Sequence, residues 1–141
     1  MPRIIRQGRI AEQPEGERLV PLAQWRGESR VLLGPDDDPA LLADHVDRLA
    51  VIGIDFPQFT DGRGYSIARL LRERFGFKGE LRAVGDVFRD NLFYLSRCGF
   101  DSFALNEGED PMSALASLSD FTEAYQTSVE RPQPLFRRRA A

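Results

Sequence analysis

From Arg30 onward, short apolar runs alternate with segments of helical period. Val31-Leu32-Leu33 is a strand segment closed by Gly34-Pro35. In Asp36-Asp37-Asp38-Pro39, Asp38 is placed to N-cap a helix, with Pro39 at the first helical position, where a missing N–H does no harm. Leu41, Leu42, Val46 and Leu49 partly fit helical spacing before Ala50-Val51-Ile52-Gly53-Ile54 reads as a buried strand. The next helix puts Ile67, Leu70 and Leu71 on one face and ends near Gly76, and Leu81-Arg82-Ala83-Val84 is a third strand. Asp86 then caps a helix carrying Phe88, Leu92, Leu95 and Cys98, stopped by Gly99. Ser102-Phe103-Ala104-Leu105 is the fourth strand. Asp110-Pro111 starts a last helix with Met112, Leu115, Leu118 and Tyr125 inward.

Four consecutive strand-helix units with short connections imply parallel strands joined by right-handed crossovers. The expected class is α/β, about four βα units on one parallel sheet. Two architectures satisfy it: an open three-layer sheet, or a half-barrel, four units of an eightfold plan. A half-barrel leaves two edges and one face bare, so it needs a second copy (a homodimer) or the N-terminal segment as cover. Residues 1–28 form that preface. Arg3-Ile4-Ile5-Arg6 and Arg9-Ile10-Ala11 around Gln7-Gly8 outline a β-hairpin, since glycine supplies the positive φ of a tight turn. Gln13 to Arg18 is polar and loop-like, and Val20 to Trp25 is apolar but too short to assign. The α/β domain is expected over 29–127. Residues 128–141 read as a flexible basic tail, with Leu135-Phe136 and its arginines as a docking segment the alternative.

Composition narrows the picture. At 141 residues the chain makes one domain, long enough to bury a core without staples. A net charge of −3 excludes general nucleic-acid affinity, which needs several phosphates neutralised. Of 19 basic residues only Lys78 is lysine; genome base composition explains that as well as anion recognition does. One cysteine, Cys98, excludes an internal disulfide. Without an 18-residue apolar run or a signal-peptide core after Met1-Pro2-Arg3, a cytoplasmic protein with no membrane partner is expected.

The chemistry concentrates between Asp55 and Ser66, just after the second strand, where ligands of parallel sheets and barrels sit. Thr60, Asp61, Gly62, Arg63, Gly64, Tyr65 and Ser66 are the binding candidates, with Arg89 and Asp90 one strand further on. Gly62-Arg63-Gly64 ahead of a helix can turn backbone N–H groups toward an anion, and Arg63 adds a planar fork suited to sulfite, sulfate, phosphate or carboxylate. The structural alternative has the glycines only making the turn, while Asp61 caps the helix and pairs with Arg63. Asp55, Asp61 and Asp86 converge on one rim and are the acid–base candidates; caps and ion pairs with Arg63 and Arg89 explain them equally well. For Asp36-Asp37-Asp38 the helix cap suffices, so no metal is assigned. His45 reads as a surface residue, and Cys98 as a buried, inert thiol.

The run Asp55-Phe56-Pro57-Gln58-Phe59-Thr60-Asp61-Gly62-Arg63-Gly64-Tyr65-Ser66, continued by Ala68-Arg69-Leu70-Leu71-Arg72, carries a resemblance. With Gly79-Glu80-Leu81-Arg82-Ala83-Val84-Gly85-Asp86-Val87 and Arg97-Cys98-Gly99-Phe100-Asp101, it resembles an uncharacterised bacterial family usually encoded beside assimilatory sulfite reductase. The resemblance runs from about Val31 to Tyr125. It implies a role in sulfite reduction, with sulfite reductase or another sulfate-assimilation enzyme as partner, and brings no established catalytic residues. The family's oxidoreductase label comes from gene neighbourhood. One Cys and one His cannot supply four thiolates for an iron–sulfur cluster, and Ile67 stands where a dinucleotide fingerprint needs its third glycine. No cofactor is therefore assigned, and electron transfer is expected in another subunit. Three functions follow as expectations. The leading one is an accessory protein binding sulfite reductase, a small oxyanion or both. The others are a small enzyme using Asp acid–base groups on an anionic substrate, and a ligand-free interaction module.

Overall fold

In the computed structural model, which describes residues 3–6, 8–12, 18–106 and 108–124, seven strands form one sheet. They are β1 (Arg3–Arg6), β2 (Arg9–Glu12), β3 (Val20–Pro21), β4 (Arg30–Leu33), β5 (Val51–Phe56), β6 (Glu80–Gly85) and β7 (Ser102–Ala104). Their order across the sheet is β2-β1-β7-β6-β5-β4-β3. The block from β3 to β7 is parallel throughout, and the β1–β2 hairpin adds antiparallel to β7.

That order decides what the strand count left open. A doubly wound sheet reverses its strand order at a switch point. Here β3 to β7 run monotonically, as in half of a barrel, and right-handed crossovers then put every helix on one face. Burial agrees. Val31 and Leu33, Ile52, Ile54 and Phe56, Leu81 and Ala83, and Phe103 alternate along their strands into one core shared with Ile67, Ala68, Leu71, Leu92, Leu95 and Ala114 from the helices. Both edges of the four strands β4 to β7 are covered from within the chain. The hairpin, its tight turn made by Gly8 at φ +81°, pairs with β7, and the segment too short to assign supplies β3 against β4. The polar stretch 13–17, the tail 128–141 and Tyr125 lie outside the described residues.

The helices are short: α1 (Arg63–Arg69), continued by a π-helical turn over Leu70–Arg74, then α2 (Leu92–Arg97) and α3 (Pro111–Ala124). Three readings change in detail. The Asp38-capped segment is a 3₁₀ helix over Pro39–His45, with Asp38 accepting the Ala40 N–H at 3.0 Å. Its period of three buries Pro39 and Leu42 and leaves Leu41 62% exposed. In α1 the buried face is Gly64, Ile67, Ala68 and Leu71, so Leu70 points outward; in α3 it is Ala114 that is buried and Met112 that is exposed. Asp86 is not the cap of its helix. A 3₁₀ turn, Arg89–Asn91, precedes α2, and Asn91 Oδ1 takes the Phe88 N–H instead at 3.1 Å.

Candidate functional site

Because β4 to β7 are parallel, the loops that follow them, 34–38, 57–62, 86–91 and 105–110, meet on one rim. Asp61 organises the loop after β5. Its Oδ1 accepts from the Arg63 backbone N–H and Nε, both at 3.0 Å, and its Oδ2 from Nη2 at 2.7 Å. The remaining arm of the guanidinium, Nη1, pairs with Asp36 from the loop after β4. These bonds from Arg63 hold the Asp61 carboxyl below the usual carboxylate range. The Arg63 side chain stays 56% exposed, and that of Asp36 88%.

The neighbouring glycines serve another purpose than a left-handed turn. Gly62 has φ −72°, and neither it nor Gly64 has a positive φ. Gly64 is buried because the Phe56 ring lies against it: a Cβ there would come within 2.5 Å of the ring. Tyr65 also packs against that ring and in turn meets Tyr94, with centroid distances of 5.0 and 4.9 Å.

Asp86 fastens the same loop from the other side. Its Oδ2 accepts the Phe59 N–H at 2.8 Å, and its Oδ1 accepts from Asn106 Nδ2, also at 2.8 Å. Tyr65 donates its hydroxyl to the Phe59 carbonyl at 3.1 Å, and the Phe59 ring stands edge-on to Phe88 at 5.0 Å. Burial pushes the Tyr65 hydroxyl above its ordinary pKa. Thr60 lies at the exposed tip, and Ser66 Oγ reaches back toward the Gly62 carbonyl at 3.5 Å.

Arg89 and Asp90 line a cleft of about 230 Å³ with Phe88, Glu109, Asp110 and Ser113. Arg89 Nη1 donates to Ser113 Oγ at 3.0 Å, and its backbone N–H to Glu109 at 2.8 Å. Asp55 is placed differently. Strand alternation sends Ile54 and Phe56 to the helices and Asp55 to the opposite face, where burial alone raises its pKa. No hydrogen bond or ion pair of its carboxyl is formed among the described residues.

The structure thus joins Asp61 and Arg63 directly, and brings Asp61 and Asp86 to two sides of one loop. Asp55 lies across the sheet from them, and Arg89 with Asp90 forms a neighbouring cleft. Each of the three consecutive aspartates is engaged close by, since Asp36 pairs with Arg63, Asp37 accepts the Gly34 N–H at 2.7 Å, and Asp38 caps. Cys98 is buried, with its thiol pushed up by burial. His45 is half-buried, edge-on to Trp25 and 2.9 Å from Arg48 Nη2. Sequence reasoning passed over Phe59, Asn106 and Ser113, and put Phe88 on the inner helix face, whereas it is extended ahead of the 3₁₀ turn and lines the cleft. The one local signal was an aromatic, Phe59, inside a run otherwise rich in turn formers.

A family model described as "Bacterial protein of unknown function (DUF934)" matches residues 30–136. Comparison with curated proteins and with solved structures found no match.

Proposed function

The chain belongs to this bacterial family of unknown function, and from that premise we propose that it acts as an accessory protein of assimilatory sulfate and sulfite reduction. In this reading it binds sulfite reductase, a small oxyanion or both at the rim loop. The observation that supports the reading is the state of Arg63. Asp61 orients its guanidinium through two bonds, while the third contact, to the exposed Asp36, is of the solvent-screened kind worth little to folding. An oxyanion or a partner's carboxylate can replace Asp36 without disturbing the loop. The test is affinity capture with the tagged chain from cells grown on sulfate. Sulfite reductase should be recovered with the wild type and lost with Arg63→Ala; its absence from the wild-type capture would refute a stable accessory role.

A second reading, an enzyme acting on a small anion by carboxyl acid–base chemistry, draws on Asp55. Its carboxyl sits on the sheet face away from the helices, and burial pushes it above the ordinary carboxylate range. If an Asp55→Asn chain fully restores growth of a deletion strain on sulfate, Asp55 is not an essential acid or base.

A further inference from the structure

We infer that Phe59 is a preorganised docking anchor for a partner protein whose surface offers an apolar pocket beside a lysine or arginine side chain. The inference rests on the reading of the rim as a partner-binding site and names the chemistry of that partner.

Residues 57–60 are all exposed, and the Phe59 side chain stands at the tip, with the residue 45% exposed. What fixes Phe59 is mostly its backbone: the N–H on Asp86, the carbonyl on the Tyr65 hydroxyl. Any residue type but proline could make those two bonds. The ring meets Phe88 in a T-shaped contact and, with the residue 45% exposed, forgoes part of the roughly 1.5–3 kcal/mol that full burial of such a side chain contributes. A backbone fixed before association loses little further freedom on binding, and aromatic side chains so presented are prominent in the energetics of protein interfaces.

The neighbourhood specifies the partner. Phe88, the ring behind Phe59, is also a wall of the 230 Å³ cleft, whose other sides, among the described residues, carry Asp90, Glu109 and Asp110 against one cation, Arg89. Arg89 is turned to Ser113 and lies 3.8 Å from Asp90, whose side chain remains 79% exposed. The cleft has room for one long side chain and a charge balance that favours a cation. Asp38, also exposed, adds the same sign along the rim, where Asp36 is paired with Arg63. A basic protein surface around an apolar pocket complements the charge of this cleft.

The experiment measures binding of the full chain to purified sulfite reductase holoenzyme by titration calorimetry at low and high salt. Phe59→Ala should weaken binding by about 30-fold, the loss typical of an aromatic anchor. Asp90→Asn should weaken it several-fold at low salt and not at high salt, because only the electrostatic part is screened. Leu70→Ala, at another exposed apolar position, should bind as the wild type does. Circular dichroism and thermal melting establish that each variant is folded, and Asp90→Asn, at an exposed site, carries the test should Phe59→Ala fail to fold. Wild-type affinity in both Phe59→Ala and Asp90→Asn would overturn the anchor while leaving the accessory role intact. No binding by the wild type would overturn both.

Discussion

Arg63 and Arg72 belong to the same helical segment, yet the two ends of the sheet hold them by opposite rules. Arg63 opens α1 at the rim where the strands end, and is held there by two carboxylates while its own side chain stays largely in water. Arg72 closes the segment at the other end. Its Nε donates to the Gly99 carbonyl at 2.9 Å, and its Nη1 to the carbonyls of Phe77 and Gly79 at 2.9 and 2.8 Å. Nη2 lies 3.6 Å from Asp101, and the Phe77 ring lies 5.4 Å from the guanidinium carbon. One guanidinium thus joins the end of α1, the entry to β6 and the turn before β7. Gly99, at φ +114°, is glycine for that reason as well, since a Cβ would come within 2.6 Å of the Arg72 chain.

The same contrast extends to the sheet. Arg82, wholly buried on the face away from the helices, donates to Glu80 at 2.6 and 3.1 Å and to Ser102 at 3.2 Å, and Arg6 reaches Glu80 from the hairpin. Arg72, half-buried, and Arg82, fully buried, lock backbone and sheet together near the strand starts, while Arg63 at the strand ends keeps its contacts in water. Strand beginnings carrying stability and strand ends carrying function is the division known from barrels of this strand order.

The sharpest way to break the contrast is Arg72→Ala, which strands three carbonyls and the half-buried Asp101 together. It should lower unfolding free energy by about 4 kcal/mol in chemical denaturation. Arg72→Lys should rescue little of this, since an ammonium lacks the planar fork that reaches all three acceptors. Next comes Glu80→Gln, expected to cost about 3 kcal/mol at neutral pH because it leaves buried Arg82 short of its counter-charge. Its pH dependence has a definite sign. Burial pushes the Glu80 carboxyl up, but Ser102, Arg82 and Arg6 together hold it below its ordinary value of 4.5. That stabilisation is present above the unfolded value and is lost as pH falls through the lower folded one. The gap between wild type and Glu80→Gln should therefore close in acid; a gap that stays constant down to low pH would show that the carboxylate charge is not its source. The smallest effect belongs to the rim: Arg63→Ala should leave the denaturation midpoint within replicate scatter, with any residual difference erased by salt. A large loss there would remove the distinction between the two ends.

Several of these features were legible along the chain. Asp38 ahead of Pro39, Asp110 ahead of Pro111, and Gly99 after an apolar helix face mark real boundaries. The hairpin at Gly8 and the four apolar runs also appear where the pattern puts them. Leu41, Leu70 and Met112 misled because hydrophobicity alone does not say which of two adjacent apolar residues faces the sheet, and Ala68 and Ala114, small and easily overlooked, fill the close approach instead. The Asp61–Arg63 pair was readable as well, being two residues apart. Asp86 looks like a cap in the sequence because capping is a local habit of aspartate, whereas both of its oxygens are taken by partners 27 and 20 residues away.

The amino-acid order by itself determined what depends on near neighbours: the alternation of strand and helix, the caps and stops, and, from their succession, a largely parallel sheet. Only the tertiary structure decided the monotonic strand order, the hairpin's place on the β7 edge and the partners of Asp36, Asp86 and Arg72. It also decided that Asp55 lies on the sheet face away from the helices, and that Phe59 is gripped by its backbone with its ring partly exposed. Local periodicity arises from 3.6 or 2 residues per repeat and is visible in any short window. A guanidinium that finds three carbonyls, or a carboxylate that finds a loop 27 residues distant, is selected by burial and hydrogen-bond satisfaction across the whole fold.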